Sequence, residues 1–191
     1  MRSEFVTLGL FFTTLLQAQD SVKHQSALRV KFASIHQLGF VVGASAAEPI
    51  IQSVNGIQVG TWFAGIGVGL DYYKERSVPL FLDVRRNIFA KPQTPFVYAA
   101  GGKHIAWRSS PPKEWISSGL EGGWYYDLGA GYKSSISKKQ QMVVSVGYSV
   151  KYMSEDVNTM PWISAFPPPP GAKQKREYTL SRISFKIGLG L

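Results

Sequence analysis

Residues 62–73, WFAGIGVGLDYY, place Trp62, Ala64, Ile66, Val68, Leu70 and Tyr72 on one face of an extended strand and Phe63, Gly65, Gly67, Gly69 and Asp71 on the other. Successive strand side chains point to opposite faces, so this order builds one apolar face and one of small or polar groups. Glycine weakens an ordinary strand, because it costs entropy and packs nothing. Its use at every second position therefore implies a face too crowded for larger side chains.

The same period of two recurs along the chain. Leu38, Phe40, Val42 and Ala44 oppose Gly39, Val41, Gly43 and Ser45. Val78, Leu80, Leu82 and Val84 oppose Phe81, Asp83 and Arg85. Trp124, Tyr126, Leu128, Ala130 and Tyr132 oppose Tyr125, Asp127, Gly129, Gly131 and Lys133. Met142, Val144, Val146, Tyr148, Val150 and Tyr152 oppose Val143, Ser145, Gly147, Ser149 and Lys151. Ile183, Phe185, Ile187, Leu189 and Leu191 oppose Arg182, Ser184, Lys186, Gly188 and Gly190. Two stretches mix their faces: PIIQSVNGIQV (49–59), which carries Asn55-Gly56 within the strand, and PFVYAAGGKHI (95–105).

Eight strands follow, over 33–45, 49–59, 61–73, 78–88, 94–106, 121–135, 140–152 and 178–190. Short gaps follow the second, fourth and sixth strands, while long ones, RSSPPKEWISS and SEDVNTMPWISAFPPPPGAKQKRE, follow the fifth and seventh. Long gaps after odd strands alone put both long loops at one end of an up-and-down barrel, the asymmetry of outer-membrane barrels.

Alternation alone does not say which face points out, since a soluble barrel has the same period with apolar residues inside. Three features favour an apolar exterior. The strands run well past the usual 5–6 residues and match what a tilted bilayer crossing needs. Trp62 and Tyr72 lie ten residues apart on the apolar face. At about 3.3 Å per residue and a tilt near 40° that is roughly 25 Å, the height of a lipid-facing band between aromatic girdles. The opposite face is small, as a narrow lumen requires. The fold expected is all-β: an eight-stranded antiparallel up-and-down transmembrane β-barrel.

Composition agrees. Only 17% of residues are charged, against about 25% in typical soluble domains. No cysteine is present, which excludes disulfide frameworks and thiolate metal sites. Arg2, the apolar stretch Phe5–Leu16 and Ala18 read as a signal peptide over 1–18, with a short buried N-terminal helix as the alternative. Residues 19–32 then form a linker and 33–191 the barrel. The formal charge of +9 points to anionic lipid headgroups or lipid-A phosphates rather than nucleic acid, or to solvated loops and turns.

The segments GIQVGTWFAGIGVGLDYY, VPLFLDVRRNIF, PFVYAAGGKH, GGWYYDLGAGY and YTLSRISFKIGLGL resemble small outer-membrane β-barrel proteins of the Bacteroidetes type. The resemblance implies a cell outer-membrane location, contact with outer-membrane lipid and lipopolysaccharide, and insertion by the barrel-assembly machinery. It implies no particular activity.

No motif for chemistry stands out. His24, His36 and His104 have no metal-ligand spacing, and Gly65-x-Gly67-x-Gly69 does not fit the dinucleotide fingerprint. Neither a cofactor nor a metal is expected. A lipid-facing His-x-Ser pair would suit a lipid-A deacylase, but His24-Gln25-Ser26 precedes the first strand and the other two histidines lack the serine. The faces put Asp71, Asp83, Arg85, Lys103, Asp127, Lys133, Lys151, Arg182 and Lys186 in the lumen, three acids against six bases. That set reads either as a polar plug or as the lining of a porin-like, weakly anion-preferring pore. Trp62, Tyr72, Trp124, Tyr132, Tyr148 and Tyr152 are the expected membrane-interface aromatics. Trp115, Ile116, Met160, Trp162, Ile163 and Phe166 on the long loops suit contact with a partner, the barrel mouth or the membrane, and Lys173, Lys175 and Arg176 suit lipid-A phosphates. The reading is a non-enzymatic outer-membrane barrel with a structural, envelope-integrity or loop-mediated binding role and an unidentified external ligand. The alternatives are a membrane-embedded lipid-A-modifying hydrolase or acyltransferase and the narrow pore.

Overall fold

The computed structural model describes residues 30–43, 46–73, 76–107, 119–137, 140–159 and 172–191. Eight strands form: β1 Val30–Val42, β2 Ala47–Val59, β3 Trp62–Tyr72, β4 Arg76–Asn87, β5 Thr94–Ala106, β6 Gly119–Ser135, β7 Gln141–Thr159 and β8 Ala172–Gly190. Each pairs antiparallel with its sequence neighbour, and β1 pairs with β8 to close the sheet. Among the described residues there is no helix. Over the closed part of the sheet no edge is left, so backbone groups there find ladder partners without water, while β8 from Ala172 to Arg182 pairs with β7 alone.

The register fixes the barrel's dimensions. A path perpendicular to the strands runs from Val30 through Val59, Trp62, Arg86, Val97, Ala130, Val146 and Phe185, then returns to β1 at Phe40. The circuit is displaced by ten residues along β1. With strands about 4.8 Å apart and a rise of about 3.3 Å per residue, the tilt is about 41° and the backbone radius about 8 Å. A cylinder that narrow is filled by its own inward side chains.

Alternation decides what goes where. On β4, Phe81, Asp83, Arg85 and Asn87 are buried while Leu80, Leu82 and Val84 are exposed. The inner apolar cluster contains Ile35, Val54, Phe63, Phe81, Phe96 and Tyr125, and a smaller one, Val41, Ile50 and Tyr73, lies towards the long-loop end. The glycines face these rings. Gly67 sits opposite Phe81 in the ladder, and a Cβ on Gly67 would collide with that ring. Gly131 and Gly147 stand in the same relation to Phe96 and to the Tyr98 hydroxyl. Gly60 alone among the described glycines has a positive φ, 58°, and turns the chain from β2 to β3.

Most strand boundaries differ from the sequence expectation by one to three residues, and the end of β7 and the start of β8 by more. β1 starts at Val30, inside the stretch assigned to the linker. β7 runs to Thr159 and β8 starts at Ala172, so this hairpin is longer than the expected 140–152 and 178–190. The signal peptide and the rest of the linker lie outside the described residues, as do Trp115, Ile116, Met160, Trp162, Ile163 and Phe166.

Candidate functional site

Among the described residues the lumen holds three acid–base pairs. Nearest the long-loop end, Lys151 Nζ on β7 donates to both carboxylate oxygens of Asp71 on β3 at 2.6 Å, and Ser77 on β4 donates to Asp71 Oδ1 at 2.6 Å. In the middle, Lys186 Nζ on β8 reaches Asp127 Oδ2 at 2.6 Å. Tyr98 and Tyr125 also donate to Asp127, at 2.9 and 3.2 Å, and Gln52 donates to the Tyr125 hydroxyl. Towards the short-turn end, Arg85 grips Asp83 through Nε and Nη2 at 2.8 and 2.9 Å and donates to Gln37. All six charged side chains are buried. The Lys151–Asp71 and Lys186–Asp127 pairs tie different strands together across the bore, whereas Asp83 and Arg85 both lie on β4.

The remaining expected lumen residues lie elsewhere. Lys133 is half-buried and lines an open vestibule of about 840 Å³ at the short-turn end, with Lys31, Lys91, Phe63, Phe96 and Arg85. Arg182 is half-buried near the opposite mouth and donates to the carbonyl oxygen of Tyr73. Lys103 is a correction: it stands on the outer wall, exposed, with its ammonium 5.2 Å from the Trp124 ring centre. β5 turns Phe96, Tyr98, Ala100 and His104 inward, so odd positions face out. Its inward aromatics occupy space left by Gly129 and Gly131 of β6, which the apolar–polar pattern alone does not reveal. Among the described residues, the buried charges of the bore are therefore three acids and three bases, not three and six.

Trp62, Trp124, Tyr132, Tyr148 and Tyr152 are exposed on the outer wall, and Tyr72 is partly so. Cations accompany several of them: Arg86 over Trp62, Arg76 over Tyr72 and Trp107, and Lys103 over Trp124, all within 5.2–5.6 Å. Projected onto the barrel axis, Trp62 and Tyr72 are about 25 Å apart. Between these levels the exterior is dominated by Leu38, Ile51, Ile66, Leu82, Leu128 and Ile187, all exposed.

One polar cluster interrupts that wall. His36 of β1 lies opposite Ser53 of β2, and Ser34 lies opposite Asn55. Ser53 Oγ is 3.0 Å from His36 Nδ1, and Ser34 Oγ is 3.0 Å from His36 Nε2. Ser34 donates to Asn55 Oδ1 at 2.6 Å. Sequence reading passed over this set for two reasons. The serine precedes His36 in the order Ser-x-His, and Ser53 and Asn55 come from the strand whose faces looked mixed. The signal present was that mixture: polar residues shared a face with Ile51 and Ile57.

No family model and no curated protein matches the chain. Among solved structures, it is similar to the outer membrane protein OprG from Pseudomonas aeruginosa, with a TM-score of 0.48 and 12% identity over 85% of this chain and 92% of that one. A likeness at that level carries nothing about activity.

Proposed function

We propose that the chain is a barrel of the Gram-negative outer membrane, of the small Bacteroidetes type, whose body is a sealed structural element and whose long-loop end presents a binding surface. The observation that carries this reading is the inversion of a soluble fold: large apolar residues are exposed all round the wall, while aspartates and their cationic partners are buried inside. A soluble protein rarely exposes contiguous apolar surface on this scale. Outer-membrane lipid and lipopolysaccharide are the partners that fit the wall, with the barrel-assembly machinery as the agent of insertion. Lys175 and Arg176, exposed at the long-loop end, suit lipopolysaccharide phosphates.

The paired charges also separate a wall element from a pore. A closed sheet of eight strands has room inside for side chains and little else. The excess of lumen cations that favoured an anion-preferring pore disappears once Lys103 is on the wall and Lys133 and Arg182 are at the mouths. Purified protein inserted in a planar bilayer is expected to give no conductance steps while showing the heat-modifiable mobility of a folded barrel. Stable anion-selective steps would contradict the sealed-body reading.

A further inference from the structure

The polar cluster on the outer wall has an internal direction. Asn55 Oδ1 is an acceptor, so the single hydroxyl proton of Ser34 goes to it. Ser34 Oγ then accepts from His36, which places the ring proton on Nε2. Nδ1 is left with its lone pair, and Ser53 donates its hydroxyl proton there. The chain therefore runs Ser53 → His36 → Ser34 → Asn55. This is the order of a nucleophile, a general base and the groups that hold the base in the correct tautomer.

Its surroundings make that order hard to explain as structure. Across the ladders, His36 faces Leu189, Ser53 faces Val68 and Asn55 faces Ile66. Along the strands the cluster is flanked by Phe32 and Leu38 on β1 and by Ile51 and Ile57 on β2, all exposed. His36 and Asn55 are exposed on this wall, while Ser53 is half-buried and Ser34 buried. Polar groups on a wall that otherwise meets hydrocarbon are costly, and an ionisable residue at such a depth is a candidate functional site. The barrel's own packing does not call for them, since the same β1–β2 ladder is held elsewhere by apolar pairs such as Leu38 with Ile51. By the axial projection the cluster runs from about 4 Å inside the level of Trp62 at Ser34 to about 12 Å inside it at Ser53, in the half of the wall nearer the short turns.

We infer that Ser53 and His36 form a lipid-facing acyl-ester hydrolase site, with Ser34 and Asn55 as positioning residues and the acyl ester of a membrane lipid as substrate. Ser53 Oγ attacks the ester carbonyl carbon as its proton passes to His36 Nδ1. The ester C–O bond breaks, and His36 returns that proton to the departing alcohol oxygen, leaving an acyl group on Ser53. Water then attacks the acyl carbon, giving its proton to His36. The Ser53–acyl bond breaks, Ser53 recovers its proton, and a fatty acid is released. The site's wall position lets a lipid reach it sideways, with no need for the sealed bore.

The test uses the full chain folded in vesicles, with heat-modifiable mobility as the check on folding. A fluorophosphonate probe is expected to form one adduct, mapped to Ser53. The adduct should be lost in Ser53→Ala and His36→Gln and kept in Ser181→Ala, an exposed serine elsewhere on the wall. Fatty-acid release is followed by mass spectrometry in two arms, phosphatidylethanolamine vesicles and vesicles containing lipid A. Release in either arm, falling at least 100-fold in Ser53→Ala, identifies the source and supports the site. Ser34→Ala should alter the pH dependence of release, because it frees the His36 tautomer, and Ser34→Thr should restore it. Absence of both adduct and release in folded protein, or release undiminished by Ser53→Ala, overturns the assignment.

Discussion

Lys103 and Lys151 carry the same charge on neighbouring regions of the barrel, yet their surroundings make them opposites. Lys151 is fully buried and holds Asp71 through two 2.6 Å contacts. Removing one partner of such a pair leaves an uncompensated buried charge, at about 3–5 kcal/mol. Lys103 stands exposed on the outer wall with its ammonium over the Trp124 ring, a disposition worth about 0.5–1 kcal/mol. Lys151→Met is therefore expected to lower the urea midpoint of the vesicle-folded barrel strongly, and Lys103→Met to move it little. Equal effects would contradict the two placements. Sequence alone did not separate these lysines, because the alternation that placed Lys151 cleanly was mixed in the strand that carries Lys103. The deciding fact is parity relative to Phe96 and Tyr98, which lie inside only because Gly129 and Gly131 make room for their rings.

At the level of strands, a clean period of two was enough wherever one face was uniformly apolar. β3, β4, β6, β7 and β8 show the expected faces, as does β1 from Leu38 to Val42, whereas Ser34 and His36 put polar groups on the outer face of β1. β2 and β5 did not declare theirs, for different physical reasons. β2 turns Ile50 and Val54 inward and carries Ser53 and Asn55 outward, where β1 supplies their hydrogen-bond partners. β5 contributes aromatic bulk to the inner cluster. The extra length of β7 and β8 was hidden by polar sequence: SEDVNT pairs with AKQKRE, strand by register rather than by alternation. Asp156 and Lys175 pair about 12 Å beyond the level of Tyr72 along the axis. Trypsin added to the long-loop side of vesicle-inserted protein is expected to cut at Lys173, Lys175 or Arg176 and to spare Lys151 and Lys186. Cleavage at Lys151 with the hairpin untouched would place the bilayer at the wrong height.

For the molecule as a whole, the eight-stranded closed barrel was legible because bilayer-length strands and loop asymmetry act together. The interior chemistry was only half legible. Which charges pair depends on a displacement of ten residues around the barrel, a global quantity that no single strand encodes. That displacement sets the narrow radius, the radius forces glycine against aromatic, and the resulting lumen admits only neutralised charge. Each of these properties depends on which side of the sheet meets hydrocarbon. The most direct measurement places nitroxide labels singly at Ile66 and Phe185 on the wall in vesicle-inserted protein and compares relaxation by oxygen and by a water-soluble nickel chelate. Strong oxygen and weak nickel accessibility at both positions is the predicted result; strong nickel accessibility at either would contradict it.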